Sequence, residues 1–276
     1  MKDFSFDSIL LFALVVPFIM TYRLSPGETP YWFFGVIFAL LLGYFILTRL
    51  RSLLLWLVII LVIGSAYYSA IIVRHRTSPV YQVHDIILQL ESAIQFFLQG
   101  KNPYSVTYFG TPLEEWHYSD TEANPALYHF VMMPWYLLFS LPFYFLSITF
   151  LGFFVGRLPL IFSFFVLLFL AWRLIRFNNE QRRLFLILLA FNPATLGYFL
   201  EGRSDIFMFS FLFAGWVLLY RNRFALSGLP LGLAFATKQS AWPFFPFYLA
   251  FLWFKNKNFF KIMKNILVFV ISFSLP

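Results

Sequence analysis

Cysteine is absent from the 276 residues, so the chain can form neither disulfide bonds nor thiol-based active sites. Charge is also scarce: Asp, Glu, Lys and Arg make up 12% of the residues, against about 25% in soluble domains. A water-soluble protein of this length needs far more charge to cover its surface. Apolar residues amount to 61%, and the composition therefore favours an integral membrane protein.

The net charge of +8 does not indicate a nucleic-acid partner. The basic residues lie in short clusters between apolar runs, as membrane-topology signals do. Metal binding is not expected either, because the histidines lack the close pair spacing of typical zinc sites. We therefore predict no nucleic acid, no metal and no other cofactor. The four histidines are His75, His84, His117 and His129.

Long uncharged runs are the direct sign of membrane helices. Residues 53–73 contain no charge and are long enough to cross a bilayer alone. The repeated runs predict an all-α, polytopic transmembrane bundle with two parts, an N-terminal hairpin (1–52) and a transmembrane core (53–276). Because the chain ends inside an apolar run, we expect further C-terminal spans to be missing. The candidate spans are 8–22, 31–48, 53–73, 152–174, 184–200, 206–220, 226–237, 241–254 and 262 onward.

Lys and Arg in the short loops predict the orientation, since cytoplasmic loops are enriched in both. If the four basic clusters are all cytoplasmic, the large loop 74–151, residues 201–205 and the turn at Lys238 lie on the extracytoplasmic side. The clusters are Arg49 and Arg51; Arg173, Arg176, Arg182 and Arg183; Arg221 and Arg223; and Lys255, Lys257, Lys261 and Lys264.

Residues 130–150 do not fit this arrangement of alternating spans. A crossing there would place the second basic cluster outside, and Pro134 and Pro142 interrupt helical hydrogen bonding. We interpret the segment as a helix on, or dipping into, the outer leaflet. An ordinary Pro-kinked span is the alternative.

The loop 74–151 begins with a second interfacial element. Residues 85–99 predict an amphipathic helix, with Gln89 and Glu91 largely off its apolar face and Gly100 ending it. Such a helix would lie along the membrane interface.

Asp85, at the start of that helix, has two interpretations. It is an N-cap that accepts hydrogen bonds from free backbone amides, or a carboxylate placed to take a proton from an acceptor hydroxyl. His84 beside it tunes Asp85 or binds substrate, or is a plain surface histidine.

Three cations near the ends of spans converge on the predicted extracytoplasmic face, against the positive-inside tendency: Arg157, Arg203 and Lys238. An anionic ligand at the outer leaflet would explain them, since guanidinium and ammonium groups bind phosphate. In the alternatives, Arg203 clamps its turn by pairing with Glu201 or Asp205, and Lys238 reaches the interface for solvation.

Several segments, taken in their order along the chain, resemble those of the GT-C integral membrane glycosyltransferases. They are most similar to the mannosyltransferases that use polyprenol- or dolichyl-phosphate-mannose. Two motifs depart from the family: its Gly-His-x-Asp reads Gly202-Arg203-Ser204-Asp205 here, and its Pro-Pro-Leu reads Pro125-Ala126-Leu127. The motifs that carry the resemblance are His84-Asp85, Gly100-Lys101-Asn102-Pro103-Tyr104, Asn124-Pro125-Ala126-Leu127-Tyr128-His129, Arg157-Leu158-Pro159, Glu201-Gly202-Arg203-Ser204-Asp205 and Gly232-Leu233-Ala234-Phe235-Ala236-Thr237-Lys238.

The resemblance implies an inverting transfer of a hexose, with mannose as the first expectation. The donor would be a polyprenyl-phosphate sugar, the acceptor a hydroxyl of a lipid, glycan or protein, and the site extracytoplasmic in a multi-pass protein among membrane lipids. By resemblance Asp85 is the general base, and the donor phosphate binds at Arg203, Lys238 and Arg157. The alternative function is a flippase or transporter of a lipid-linked sugar or other anionic lipid. The remaining predicted binding residues are His84, Glu201, Asp205 and His129.

Overall fold

The structure, a computed structural model, describes residues 5–21, 31–117, 119, 122–174 and 178–276. Over these ranges the chain is helical and contains no strand, which confirms the all-α prediction. Arg176 lies outside the described residues. The α-helices are α1 (Phe6–Thr21), α2 (Tyr31–Ile46), α3 (Arg51–Thr77), α4 (Asp85–Leu98), α5 (Pro134–Leu151), α6 (Leu158–Leu174), α7 (Asn179–Phe191), α8 (Pro193–Glu201), α9 (Asp205–Tyr220), α10 (Phe224–Phe235), α11 (Phe245–Asn256) and α12 (Phe259–Ser274). Four 3₁₀ turns accompany them in the described ranges: Thr48–Leu50, Pro112–Glu115, Pro125–Leu127 and Gln239–Phe244.

Some of these helices could span a membrane. Within the described ranges, two segments are long and apolar enough to cross: Thr48–Thr77, which includes α3, and α5. Taken together as one bent span, α7 and α8 make a third. Helices α1, α2, α6, α9 and α10 are apolar but shorter. The placement of α5 on the outer leaflet stays a prediction.

One predicted span is broken. Residues 184–200 were predicted as one span; they fall on α7 and α8, which together are long and apolar enough to cross but meet at a bend of 47°. Pro193 has no N–H to continue the backbone hydrogen bonds of α7. The Asn192 side chain accepts the Ala194 N–H at 3.0 Å, so it caps a new helix instead.

The chain divides into two compact units, the first made of residues 1–82 and 171–201. In it, α1 packs on α7, and α3 packs on α2, α7 and α8. A buried polar cluster lies at one end of this unit. The Asp7 carboxylate accepts hydrogen bonds from Tyr44 Oη at 2.8 Å and Arg183 Nε at 2.6 Å, and Arg51 lies 3.7 Å away. Two predicted cytoplasmic clusters, those of Arg51 and Arg183, therefore meet at the same end of the unit.

The second unit contains residues 83–170 and 202–276. Its helix α10 packs closely between α9 and α12. Glycines permit this approach: a Cβ on Gly232 would lie 2.5 Å from the Phe269 carbonyl oxygen, and one on Gly228 would lie 2.9 Å from the Asn265 carbonyl oxygen. The predicted boundary at residue 52 falls inside the first unit, and the functional division made there stays a prediction.

Helix α4 is the element that organises the loop. The predicted helix is present, and Gly100 follows it with a φ of +76°, a conformation that glycine adopts without strain. One expectation about its faces is wrong, because Gln89 is fully buried rather than off the buried face. The first turns of α4 are buried in protein, and its exposed apolar residues are Phe97 and Leu98 near the end.

Candidate active site

The Asp85 carboxylate is the most enclosed acidic group in the loop region that the structure describes, with 4% of the residue exposed. The interpretation of Asp85 as the N-cap is wrong, because His84 occupies the N-cap position and its Nδ1 lies 3.3 Å from the Ile86 amide nitrogen. The Asp85 carboxylate instead contacts the side chains of Asn124 and His84. Its Oδ2 accepts a hydrogen bond from Asn124 Nδ2 at 3.1 Å.

The other carboxylate oxygen, Asp85 Oδ1, lies 2.5 Å from His84 Nδ1. The same nitrogen accepts the Ile86 N–H at 3.3 Å. The imidazole therefore lies between the first turn of α4 and the Asp85 carboxylate. The predicted roles of His84 in tuning Asp85 or binding substrate stay predictions.

Gln89, one turn beyond Asp85, fastens the segment 124–131 onto α4. Its Nε2 donates to the carbonyl oxygens of Ala126 at 2.6 Å and His129 at 2.7 Å, and its Oε1 accepts the Val131 N–H at 3.1 Å. All hydrogen-bonding groups of this buried amide except one lone pair are thereby used. Asp85 and Gln89 together hold one face of α4 against the segment that carries Asn124.

A second face of α4 contacts the turn that precedes α6. The Glu91 carboxylate accepts the Gly156 N–H at 2.9 Å, and the next residue, Arg157, is fully buried. Ile87 packs against two glycines: an added Cβ would lie 3.0 Å from the Ile87 side chain at Gly156 and 2.5 Å at Gly202. Glycine therefore eases the close approach of both turns to α4, and most at Gly202.

The structure brings Arg157 and the Gly202 turn together. A Cβ on Gly202 would lie 3.6 Å from Arg157 Cγ, and Gly202 itself has a φ of +94°, a region that favours glycine. Arg203 follows in the same turn and is half-buried. Two of the three predicted phosphate-binding cations thus lie on adjoining turns beside α4.

Lys238 follows α10 and pairs with Asp205. Its Nζ donates to Asp205 Oδ1 at 2.7 Å, so Asp205 pairs with Lys238. The turn before it is tied to the start of α5, since the backbone N–H groups of Met133 and Trp135 donate to the carbonyl oxygens of Thr237 and Ala236. The side chains of the pair stay partly open to solvent, with 33% of Lys238 and 60% of Asp205 exposed.

Two other predicted binding residues have exposed side chains. The carbonyl oxygen of His129 accepts a hydrogen bond from Gln89. Glu201 lies at the end of α8. Their predicted binding roles stay predictions. Sequence reasoning in turn missed the roles of Asn124, Gln89 and Glu91, because side chains without unusual charge placement gave no signal.

The remainder of the described loop supports the start of α4. Trp116 Nε1 donates to the Val83 carbonyl oxygen at 2.9 Å, and the Trp116 ring lies 6.0 Å from the His84 ring. Tyr108 is buried and donates to the Pro103 carbonyl oxygen at 3.0 Å. Burial, together with Tyr104, raises the pKa of the Tyr108 phenol above its ordinary value, so it remains a hydrogen-bond donor at neutral pH.

A cavity of about 350 Å³ lies at the far end of α4 from Asp85. It is mostly apolar, with Lys101 at its wall, and none of the predicted site residues lines it. No group of three or more His, Asp or Glu side chains that could hold a metal ion occurs within the part of the chain that the structure describes. The cavity is lined by Phe97, Gly100, Lys101, Asn102, Pro103, Tyr104, Pro134, Leu137, Leu138 and Pro276.

Comparison with known proteins gives one match. The model of a family described as alpha-(1->6)-mannopyranosyltransferase, N-terminal domain, matches residues 97–255, which is more than half of the chain. The matched segment contains Asn124, Arg157, Arg203 and Lys238, and it begins after Asp85. No curated protein and no solved structure matches the chain.

Proposed function

Because this chain belongs to the alpha-(1->6)-mannopyranosyltransferase family, we propose that it transfers mannose from a polyprenyl-phosphate sugar to an acceptor hydroxyl on the extracytoplasmic side of a membrane. The linkage in the family's description makes the C6 hydroxyl of a sugar residue the expected acceptor group. Transfer rather than transport is the function that family membership favours.

The observation that carries the proposal is the environment of Asp85. This carboxylate is 4% exposed and touches an amide and an imidazole. Helix α4, which presents it, also contacts the turn that holds Arg157 and the glycine before Arg203. An acid–base group beside anion-binding groups is what transfer from a phosphate-linked sugar requires.

In the proposed reaction, Asp85 accepts the proton of the acceptor hydroxyl as its oxygen attacks C1 of the donor sugar. The new C1–O bond forms while the bond between C1 and the phosphate oxygen breaks. The lipid phosphate leaves with the bonding electron pair and therefore gains negative charge. Attack from the face opposite the leaving group inverts C1, so an α-linked product requires a β-linked donor.

The cations have distinct roles in this scheme. Arg157 is fully buried, where a fixed positive charge acts through a low dielectric and is strongly felt. Arg203 offers a planar fork that suits a phosphate. Lys238 reaches the phosphate by exchanging Asp205 for it, which costs little because a partly exposed ion pair contributes about 0–1 kcal/mol.

The basic clusters support the proposed side of the membrane. In the first unit, Arg51 and Arg183 share Asp7 as a partner, which supports placing both of their clusters on one side. If that side is the cytoplasm, the loop 74–151 with Asp85 lies outside. A lipid-phosphate donor suits this side, because it needs no soluble nucleotide there.

The donor assay tests the proposal. The full chain, purified in detergent or lipid nanodiscs, is given an α-mannoside acceptor with either polyprenyl-phosphate-[¹⁴C]mannose or GDP-[¹⁴C]mannose. We expect labelled product from the lipid donor only, sensitive to an α-(1→6)-specific mannosidase. Transfer from the nucleotide donor alone, or a β-linked product, would contradict the donor and the stereochemistry proposed.

A further inference from the structure

Asn124 and Asp85 form a buried pair, and the hydrogen bond between them has a defined direction. The Asn124 Oδ1 accepts the Ala126 N–H at 2.9 Å, so its Nδ2 faces Asp85 Oδ2 at 3.1 Å. Asn124 is 1% exposed. An amide whose oxygen is already bound in this way can only donate to the carboxylate.

We propose that Asn124 is a positioning residue for the general base, holding the Asp85 carboxylate in one orientation and in its ionised form. The inference rests on the proposed function, in which Asp85 takes the acceptor proton. A hydrogen bond to a carboxylate favours its charged form, and a base acts efficiently only when its oxygen is held at the attacking hydroxyl.

The separate contacts of the Asn124 side-chain oxygen and nitrogen distinguish the positioning role from that of a helix cap. Capping of the 3₁₀ turn Pro125–Leu127 uses only the side-chain oxygen of Asn124, and Asp, Ser or Thr supplies such an oxygen equally well. The Nδ2 group serves no capping purpose. Its contact with Asp85 is therefore the reason for an amide at this position.

The segment that carries Asn124 is itself fixed by an independent contact. Gln89 binds the backbone of Ala126, His129 and Val131 and has no contact with the Asp85 carboxylate among those described here. Asn124 and Gln89 thus form a matched pair for mutagenesis. Asn124 contacts the proposed base, and Gln89 holds the same segment without a described contact to the base.

Asn124→Asp is the discriminating variant, because it keeps the size and the capping oxygen but replaces the donor to Asp85 by a second carboxylate. We expect kcat to fall on the order of 100-fold at neutral pH, with the KM values for donor and acceptor changed less than about twofold. The acidic limb of the pH–rate profile should move up by about one pH unit or more, since neighbouring carboxylates disfavour joint ionisation. His84 is a titratable group in contact with Asp85, so the profile is measured in a His84→Gln background as well.

Gln89→Met is the control for a purely structural effect. It should lower the melting temperature of the detergent-solubilised protein while leaving the acidic limb in place. An Asn124→Asp protein with wild-type kcat and pH profile overturns the positioning role, and so does a profile shift of equal size in Gln89→Met. If Asp85→Asn is inactive while Asn124→Asp is normal, only the positioning inference fails; if Asp85→Asn is active, the proposed base fails and the inference with it.

Discussion

Lys238 illustrates how a single residue can carry two interpretations at once. Its ammonium lies 2.7 Å from the Asp205 carboxylate, which fits a clamp between α9 and the turn after α10. The same group is partly exposed beside the turn that carries Arg203, which fits phosphate binding. The two interpretations predict different kinetics.

As a phosphate-binding group, Lys238 should matter for donor binding. Lys238→Met should raise the donor KM on the order of 10-fold, whereas Asp205→Asn, which frees the ammonium, should lower it up to about fivefold, the equivalent of one exposed ion pair. Initial rates at varied donor concentration measure both. Lys255→Met, at an exposed lysine of α11, is the control. If Lys238→Met and Asp205→Asn lose equal thermal stability and neither changes the donor KM, phosphate binding is contradicted and only the clamp interpretation remains.

At the residue scale, the sequence pattern singles out side chains whose charge is unusual for their position. Arg157, Arg203 and Lys238 could be named because ionisable groups near membrane helix ends need a reason to be there, whereas Asp85 was named as the base through the family resemblance. Asn124 and Gln89 could not, since a neutral amide breaks no pattern. Their partners lie 37 to 42 residues away in the chain, and only the fold shows them.

At the scale of elements, the contact between α10 and α12 depends on glycine. Small residues let helix backbones approach closely in membrane proteins, and α10 places Gly228 and Gly232 one turn apart against α12. The Gly-Leu-Ala stretch noted in the sequence thus has a packing reason: its glycine faces the backbone of Phe269 and Phe273.

Gly232→Ala should separate these two helices. The added methyl would lie 2.5 Å from the Phe269 carbonyl oxygen, and overpacking of this kind costs about 1–3 kcal/mol. A lower melting temperature in detergent is the expected result. Gly35→Ala in α2 is the matched control, because nothing lies within 4 Å of its added Cβ. Equal melting temperatures for the two variants would show that the helices do not pack as described.

The ends of helices could be predicted where the sequence has a residue that stops a helix, such as glycine. They could not be predicted where the boundary lies inside a continuous apolar run. Gly100 ends α4 as predicted, since glycine adopts the φ that stops a helix. The break at Asn192 was missed because hydrophobicity is continuous across it, even though Pro193 removes a backbone donor. The burial of Gln89 was missed because helical periodicity ranks side chains by polarity and cannot anticipate a polar partner.

At the scale of the whole molecule, the orientation in the membrane is the property that joins fold to function. In the first unit, Arg51 and Arg183 contact one buried carboxylate, although 132 residues separate them in the chain. The composition predicted an integral membrane protein, and the basic clusters predicted its sidedness. The grouping of residues 171–201 with 1–82 had no counterpart in the sequence pattern, because it depends on long-range packing.

Sidedness can be measured directly, because the chain contains no cysteine. Single cysteines are introduced at two exposed positions, Glu115 in the loop and Arg223 before α10. In intact cells, a membrane-impermeant maleimide should label Glu115→Cys, and it should label Arg223→Cys only after permeabilisation. The reverse pattern would place the loop with Asp85 in the cytoplasm and contradict the proposed side of the reaction.

The central claim is that Asp85 removes the acceptor proton, and mannosyl transfer by Asp85→Asn tests it most directly. The variant keeps the side-chain size but lacks the basic carboxylate. With polyprenyl-phosphate-mannose and an α-mannoside acceptor, we predict that kcat falls at least about 1000-fold, while the melting temperature in detergent and the donor affinity remain close to wild type. Glu115→Gln, the same chemical change at an exposed loop carboxylate, should remain fully active. An Asp85→Asn protein that retains wild-type turnover would contradict the account.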